Sequence, residues 1–137
     1  MFKRIVVGGT FEGLHDGHKL VLKTAFENAK SVVIGLTSDD FAERFRTRKV
    51  SVYTNRKNAL GEFVKAFDTP YEVVEINDSY GVATIDKDMD CIVVSEETLL
   101  RAEEINTIRF KKGLPKLTVI VVPLVLDSEG VPLSSSR

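Results

Sequence analysis

The chain has 137 residues, 43% of them hydrophobic and 28% charged, with a formal net charge of −1 at neutral pH. That length supports one domain with its own apolar core, and the even charge balance argues against general binding to nucleic acid or to anionic membranes. The single cysteine, Cys91, excludes an internal disulfide and suits a reducing cytoplasm, while the apolar run after Met1-Phe2-Lys3-Arg4 is too short for a signal peptide or a membrane helix.

No repeat, low-complexity tract or linker divides the sequence, so residues 1–137 are read as a single domain. Arg4–Gly8 reads as a first strand. A glycine-containing turn leads to a helix from about His18 to Ala29, in which Val21, Leu22, Ala25, Phe26 and Ala29 share a face. Ser31–Thr37 is a second strand, and Asp39–Arg48 begins as a helix capped by Ser38 or Asp39. Thr54–Phe67 carries an apolar stripe of Ala59, Leu60, Phe63, Val64 and Phe67, with Pro70 marking its end. Tyr71–Ile76 is a third strand. Met89–Ser95 is a fourth, continuously apolar at its centre, as a strand covered on both faces should be. Glu96–Lys112 is a helix closed by Gly113 with Pro115 beyond, and Leu117–Val122 is a fifth strand. Strands alternating with helices predict an α/β, Rossmann-like fold: a doubly wound, parallel five-stranded sheet with helices on both faces. Ligands of such sheets sit beyond the carboxyl ends of the strands.

The loop after the first strand runs Gly8-Gly9-Thr10-Phe11-Glu12-Gly13-Leu14-His15-Asp16-Gly17-His18. Glycines there let the backbone turn tightly and approach a ligand. The following helix N-terminus offers unpaired N–H groups and a partial positive charge to an anion. Both histidines of the chain, His15 and His18, lie beside this turn, so both imidazoles are expected to point at phosphate oxygens. A metal site fits poorly, because zinc would need further ligands and Cys91 sits mid-strand. No metal ligands are therefore assigned. A dinucleotide fingerprint would need G-x-G-x-x-G, which the loop lacks.

Thr10-Phe11-x-x-Leu14-His15-x-Gly17-His18 resembles the His-x-Gly-His signature of the nucleotidylyltransferase superfamily, and Leu133-Ser134-Ser135-Ser136-Arg137 resembles its second signature, I-S-S-T-x-x-R. Gly35-Leu36-Thr37-Ser38-Asp39, Asp78-x-Tyr80-Gly81, Val93-Val94-Ser95-Glu96-Glu97-Thr98 and Ile105-Asn106-x-x-Arg109 are similar to the archaeal phosphopantetheine adenylyltransferase family. The likeness covers essentially the whole chain. It implies a final arginine two residues past Arg137 and a helix beyond, so the sequence is expected to be part of a longer protein. Glu12 stands where many members carry aspartate.

The resemblance implies transfer of AMP from ATP to the phosphate of 4′-phosphopantetheine, with pyrophosphate released and Mg²⁺ carried in with the ATP. A phosphate nucleophile is already ionised, so the protein has to position groups and stabilise charge rather than supply a base. On this reading His15, His18, Thr10 and Lys49 carry the chemistry. ATP lies against Gly8, Gly9, Thr10, Phe11, His15, Gly17, His18, Val94, Ser95, Glu96, Thr98, Ser134, Ser135 and Ser136. Thr10, Lys49, Arg56 and Asp78 face the acceptor. Ser95 and Thr98 also read as a helix cap, and Asp78-x-Tyr80-Gly81 reads equally as a turn. From the basic cluster Arg44, Arg46, Arg48, Lys49, Arg56 and Lys57, Lys49 is chosen first, because the resembling family places a lysine in this connection, and Arg56 second.

Flavin mononucleotide, nicotinamide mononucleotide and glycerol phosphate (the last with CTP) are rival acceptors on the same fold. A nucleotide-binding module without turnover is the rival of another class. RNA binding through the basic cluster is weaker, since stacking aromatics there are limited to Phe45 and Tyr53. Replacing Lys49 with alanine is expected to raise the acceptor KM or lower kcat in steady-state assays. Unchanged kinetics would remove it from the site.

Overall fold

The β-branched runs form parallel strands in the computed structural model, which describes residues 1–44, 50–78, 80–126 and 128–130. These are β1 (Ile5–Gly9), β2 (Val32–Thr37), β3 (Tyr71–Ile76), β4 (Cys91–Ser95) and β5 (Thr118–Val122). Together they make one 5-stranded sheet in the order β3-β2-β1-β4-β5. Four helices connect them among the described residues: α1 (Asp16–Asn28), α2 (Asp39–Arg44), α3 (Tyr53–Val64) and α4 (Leu99–Lys111), with 3₁₀ turns at Gly81–Thr84 and Glu96–Thr98. None of them is long and apolar enough to cross a membrane.

The period-2 alternation of the central strands divides the core in two. On one side Ile5, Val7, Ile34, Leu36 and Val93 pack with Leu22, Ala25 and Phe26 of α1 and with Leu60 and Val64 of α3. On the other, Val6, Val33, Ile92 and Val94 pack with Ala102 and Ile105 of α4 and with Ala83. Helices cover both faces, as the alternating pattern predicts.

The elements depart from expectation where side chains redirect the backbone. α1 begins at Asp16, before His18, because His15 caps it. Residues 96–98 form a tight 3₁₀ turn ahead of α4, with the Thr98 hydroxyl accepting from the Ser95 N–H at 3.2 Å. The chain leaves α3 after Val64, although the Phe67 ring still packs on the core. In α3 the expected apolar stripe is corrected at one position. Ala59 is exposed, and Arg56, one turn before Leu60, is buried in its place at 2% exposure. The last part of the expected Asp39–Arg48 segment lies outside the described residues.

A second buried guanidinium holds the loops at the opposite side. Arg109 of α4 is 0% exposed and donates to the carbonyls of Pro115, Ala83, Asp86 and Met89 at 2.8, 2.9, 2.7 and 3.2 Å. Burial pulls its pKa down from the usual guanidinium value. One turn earlier, the Asn106 amide donates to the Leu117 carbonyl at 3.1 Å and accepts from its N–H at 2.7 Å, fixing the start of β5. These residues satisfy irregular backbone that no strand or helix could pair.

The register identifies where the sheet opens. β1 pairs with β2 along its whole length, Ile5↔Val32 to Gly9↔Leu36, but with β4 only at Ile5↔Cys91 and Val6↔Ile92. Beyond Val6 the two central strands part, at the switch point where successive connections run to opposite sides of the sheet. Replacing Arg109 with methionine is expected to lower stability by about 3 kcal/mol or more in urea unfolding, since each orphaned buried carbonyl costs roughly 1–3 kcal/mol. A loss below about 1 kcal/mol would show that water takes over the role of the guanidinium.

Candidate active site

The parting of β1 and β4 leads into a cavity of about 600 Å³ at the carboxyl ends of the strands. Its walls come from the loop after β1, the start of α1, the ends of β2 and β3, the turn after β3, the end of β4, the first turns of α4, and Pro123–Val125 after β5. Gly8 and Gly35 are register partners on β1 and β2, so neighbouring strands present bare backbone to this space. A Cβ on Gly35 would press on Ile76 at 3.3 Å, whereas one on Gly8 would meet protein only at 3.8 Å and would stand in the cavity.

After Gly9 the chain turns sharply, with positive φ at Phe11 (51°), Gly13 (72°) and Leu14 (26°). Such conformations cost about 1–3 kcal/mol each at non-glycine residues and need to be held from outside. Phe11 is held by its ring, which is 3% exposed in the core and tilted against the His18 ring at 5.4 Å. Glu12 is held by its carboxylate, which accepts from the Ser51 N–H at 3.1 Å and from the Ser51 hydroxyl at 2.8 Å. The loop is therefore tied to the segment leading into α3.

His15 is the N-cap of α1. Its Nδ1 accepts from the backbone N–H groups of Gly17 and His18 at 3.1 and 3.3 Å. This corrects the expectation that those N–H groups are open to an anion: the protein satisfies them itself. Because Nδ1 accepts, the neutral ring carries its proton on Nε2. That Nε2 is buried and has no partner among the described residues, and His15 lines the cavity. Burial lowers the His15 pKa below 6.5, which favours this neutral, singly donating form. The His18 ring stacks on it, with centroids 3.7 Å apart and planes 14° from parallel. Gly17 permits the arrangement: a Cβ there would lie 2.9 Å from His15 Cε1 and force the ring away.

Thr10 closes this end of the cavity at 8% exposure. Its hydroxyl accepts from the Thr37 hydroxyl at 3.0 Å, and its carbonyl accepts from Arg56 at 3.1 Å. Gly8, Gly9, Phe11, Gly17, His18, Val94, Ser95, Thr98 and Asp78 also line the cavity. Asp78 has a second task, its Oδ1 accepting from the N–H groups of Tyr80 and Gly81 at 2.9 and 2.6 Å to close the turn after β3.

Two assigned residues stand elsewhere. Glu96 is exposed and off the cavity wall, where its neighbour Glu97 lies instead. Arg56 is behind the wall, with Nε on the Ser51 carbonyl and Nη2 on Asp39 at 3.1 Å, so its guanidinium is committed to protein and does not reach an acceptor. Lys49, Ser134, Ser135 and Ser136 lie outside the described residues. One residue that the sequence reading missed is Arg101, a cation on the cavity wall with no ion-pair partner among the described residues. By spacing alone it reads as an ordinary solvated charge of α4. Tyr80 also lines the cavity and fastens its turn to α4 by donating to Glu104 at 2.6 Å, which raises the Tyr80 pKa. Cys91 has no part in the site. It is buried in β4, and burial pushes its thiol up to about 12.

Residues 6–137 match the model of the cytidylyltransferase-like family. The chain is 44% identical to a phosphopantetheine adenylyltransferase of Methanopyrus kandleri, over 99% of this chain and 88% of that protein. It is 42% identical to one of Pyrococcus horikoshii, over 98% of this chain and 87% of the relative. Among solved structures, one of an Archaeoglobus fulgidus protein with unknown function superposes with a TM-score of 0.79 at 32% identity, covering 98% of this chain and 96% of the other.

His15→Ala is expected to lose both the cap and the donor, costing about 1 kcal/mol of stability and most activity. His15→Asn should keep the cap and the stability but still lose activity; two equally unstable variants would refute the double role. In the free protein the His15 imidazole should titrate below 6.5 by NMR. Its contribution to stability is then complete above pH 6.5 and is lost as pH falls through that value toward the folded pKa. Titration at or above 6.5 would contradict the capped, neutral ring.

Proposed function

The chain belongs to the cytidylyltransferase-like family, and from that premise we propose that it transfers the adenylyl group of ATP to 4′-phosphopantetheine, giving dephospho-coenzyme A and pyrophosphate. It is an enzyme of the kind its archaeal relatives are, a nucleotidyltransferase acting in coenzyme A synthesis. The observation that carries the reading is the His15 ring: one nitrogen is spent on the α1 cap, and the other holds a proton with no acceptor among the described residues. A buried donor left unpaired costs roughly 1–3 kcal/mol, and a phosphate oxygen in the cavity would relieve it.

In the transfer, an acceptor phosphate oxygen forms a bond to the α-phosphorus of ATP as the bond to the β-phosphate oxygen breaks. The electron pair leaves with pyrophosphate. No proton has to move, so the work of the chain is orientation and charge stabilisation. His15 and His18 hold phosphate oxygens, and Thr10 donates from its hydroxyl where the reacting groups meet. The nucleoside lies along the parted edge of β4 by Val94, Ser95 and Thr98. The bare backbone at Gly8 and Gly35, with the apolar wall of Ile76, Val82 and Leu124, accommodates the acceptor's arm. Arg101 adds positive charge at the rim, and Lys49, Ser134, Ser135 and Ser136 complete the phosphate contacts.

Asp78 and Glu97 stand on the cavity wall, but no three His, Cys, Asp or Glu side chains cluster as metal ligands among the described residues. The magnesium of the reaction would arrive on the triphosphate, keep much of its own water and supply charge neutralisation at the leaving pyrophosphate. A lone buried cysteine accords with work in the cytoplasm.

Pyrophosphate release with ATP and Mg²⁺ should appear with 4′-phosphopantetheine and not with flavin mononucleotide, nicotinamide mononucleotide or glycerol phosphate. His18→Ala should reduce it by at least about 100-fold, as loss of a donor to the transition state does. Release with another acceptor would replace the substrate. Tight ATP binding without release would mark a binding module instead.

A further inference from the structure

We propose that Arg56 and Thr37 are positioning residues: a one-way hydrogen-bond relay runs from the Arg56 guanidinium through the Thr37 hydroxyl to Thr10 and aims the Thr10 proton at the phosphate oxygens in the cavity. The inference rests on the adenylyl transfer proposed above and assigns Arg56 a task other than gripping the acceptor.

The direction follows from what each group can donate. A guanidinium has five N–H donors and no acceptor. Arg56, at 2% exposure, commits four of them: Nε to the Ser51 carbonyl at 2.8 Å, Nη1 to the Thr10 carbonyl at 3.1 Å and to Thr37 Oγ1 at 3.2 Å, and Nη2 to Asp39 at 3.1 Å. Thr37, 6% exposed at the end of β2, therefore accepts from the cation, and its own single proton remains to be placed. Thr10 Oγ1, at 3.0 Å, is its one acceptor among the described residues. Thr10 then accepts in turn, and its proton has no protein acceptor among the described residues. Thr10 lines the cavity, so that proton faces the ligand.

The same cation fixes the Thr10 backbone through its carbonyl. The residue that precedes the strained turn at Phe11 is thus held by one buried charge directly at its carbonyl and, through Thr37, at its hydroxyl. Asp39 keeps that charge in place, since its Oδ1 also accepts the Tyr53 N–H at the start of α3, at 2.7 Å. A positive charge behind a chain of hydroxyls polarises each of them outward, making the last a stronger donor. The Thr10 hydroxyl keeps its proton throughout the reaction; it is aimed, not ionised.

The test is a double-mutant cycle on kcat with ATP and 4′-phosphopantetheine, using Thr10→Val, Thr37→Val and the double variant, with Thr37→Ser as the conservative control. Thermal melting of each variant corrects kcat for the folded fraction. Thr10→Val should lower kcat about 100-fold. Thr37→Val should lower it about 10-fold with little change in the ATP KM, and Thr37→Ser should restore it to within about 2-fold. In the Thr10→Val background, Thr37→Val should have no further effect, because the relay would have nothing left to aim. A Thr37→Val enzyme with wild-type kcat overturns the relay. So does an equal loss in both backgrounds, which would mark Thr37 as merely structural. Silence from the wild type would overturn adenylyl transfer and this role with it, whereas an active wild type beside an unimpaired Thr37→Val overturns the relay alone.

Discussion

A parallel sheet covered on both faces offers a ligand no backbone except where two neighbouring strands separate. In this molecule the separation falls between β1 and β4, which share only the pairs at Ile5 and Val6 before they diverge. Each later feature of the site is a response to that opening. Gly8 and Gly35 keep its floor bare, and the loop after β1 turns back over it with positive φ at Phe11 and Leu14. The first helix then starts with its N-terminus beside the gap. The strain in this loop is held by neighbours that would be out of place without it: the Phe11 ring in the core and the Glu12 carboxylate on Ser51.

Irregular backbone near a core needs donors and acceptors that secondary structure does not supply. Two buried arginines supply the donors here, one on each side of the sheet. Arg109 gathers four carbonyls from the connections around β4 and β5. Arg56 gathers the Thr10 and Ser51 carbonyls and the Thr37 hydroxyl around the mouth of the cavity. Both are rigid forks with several donors in one plane, a geometry that the point charge of lysine cannot reproduce. Their desolvation is a cost, offset by the number of bonds each completes. Arg56 also has a carboxylate partner, Asp39, that is half exposed and so partly hydrated.

The His15 ring explains the spacing of the His-x-Gly-His signature in physical terms. Its Nδ1 must reach the N–H groups two and three residues on, which places His18 in the first turn of α1, where the two rings stack. The residue at position 17 lies beneath the capping ring and has no room for a Cβ. A histidine cap differs from the usual serine or aspartate cap in having a second nitrogen. That nitrogen turns a structural group into a donor at the cavity wall.

The strands, their parallel order of connection and the split of the core between two faces were legible in the sequence, because burial on a period of two or of 3.6 is written directly into residue order. The place of the candidate site was legible as an expectation, since a glycine turn between a strand and a helix carries both histidines of the chain, and the cavity lies beside that turn. What residue order does not carry is which partners a polar side chain meets across the fold. Arg56 reads as one member of a basic surface cluster. Only the closure of α3 over β2 buries it against Thr10 and Thr37, residues 46 and 19 positions away in sequence. Arg101 reads as a solvated charge until α4 packs beside the opening, and at the 3₁₀ turn ahead of α4 it is Glu97, not Glu96, that lines the cavity. Sequence therefore determined the elements and the chemistry available to them. Tertiary structure alone decided which cation faces the cavity and which stands behind it, because that depends on distances between segments that no local pattern encodes.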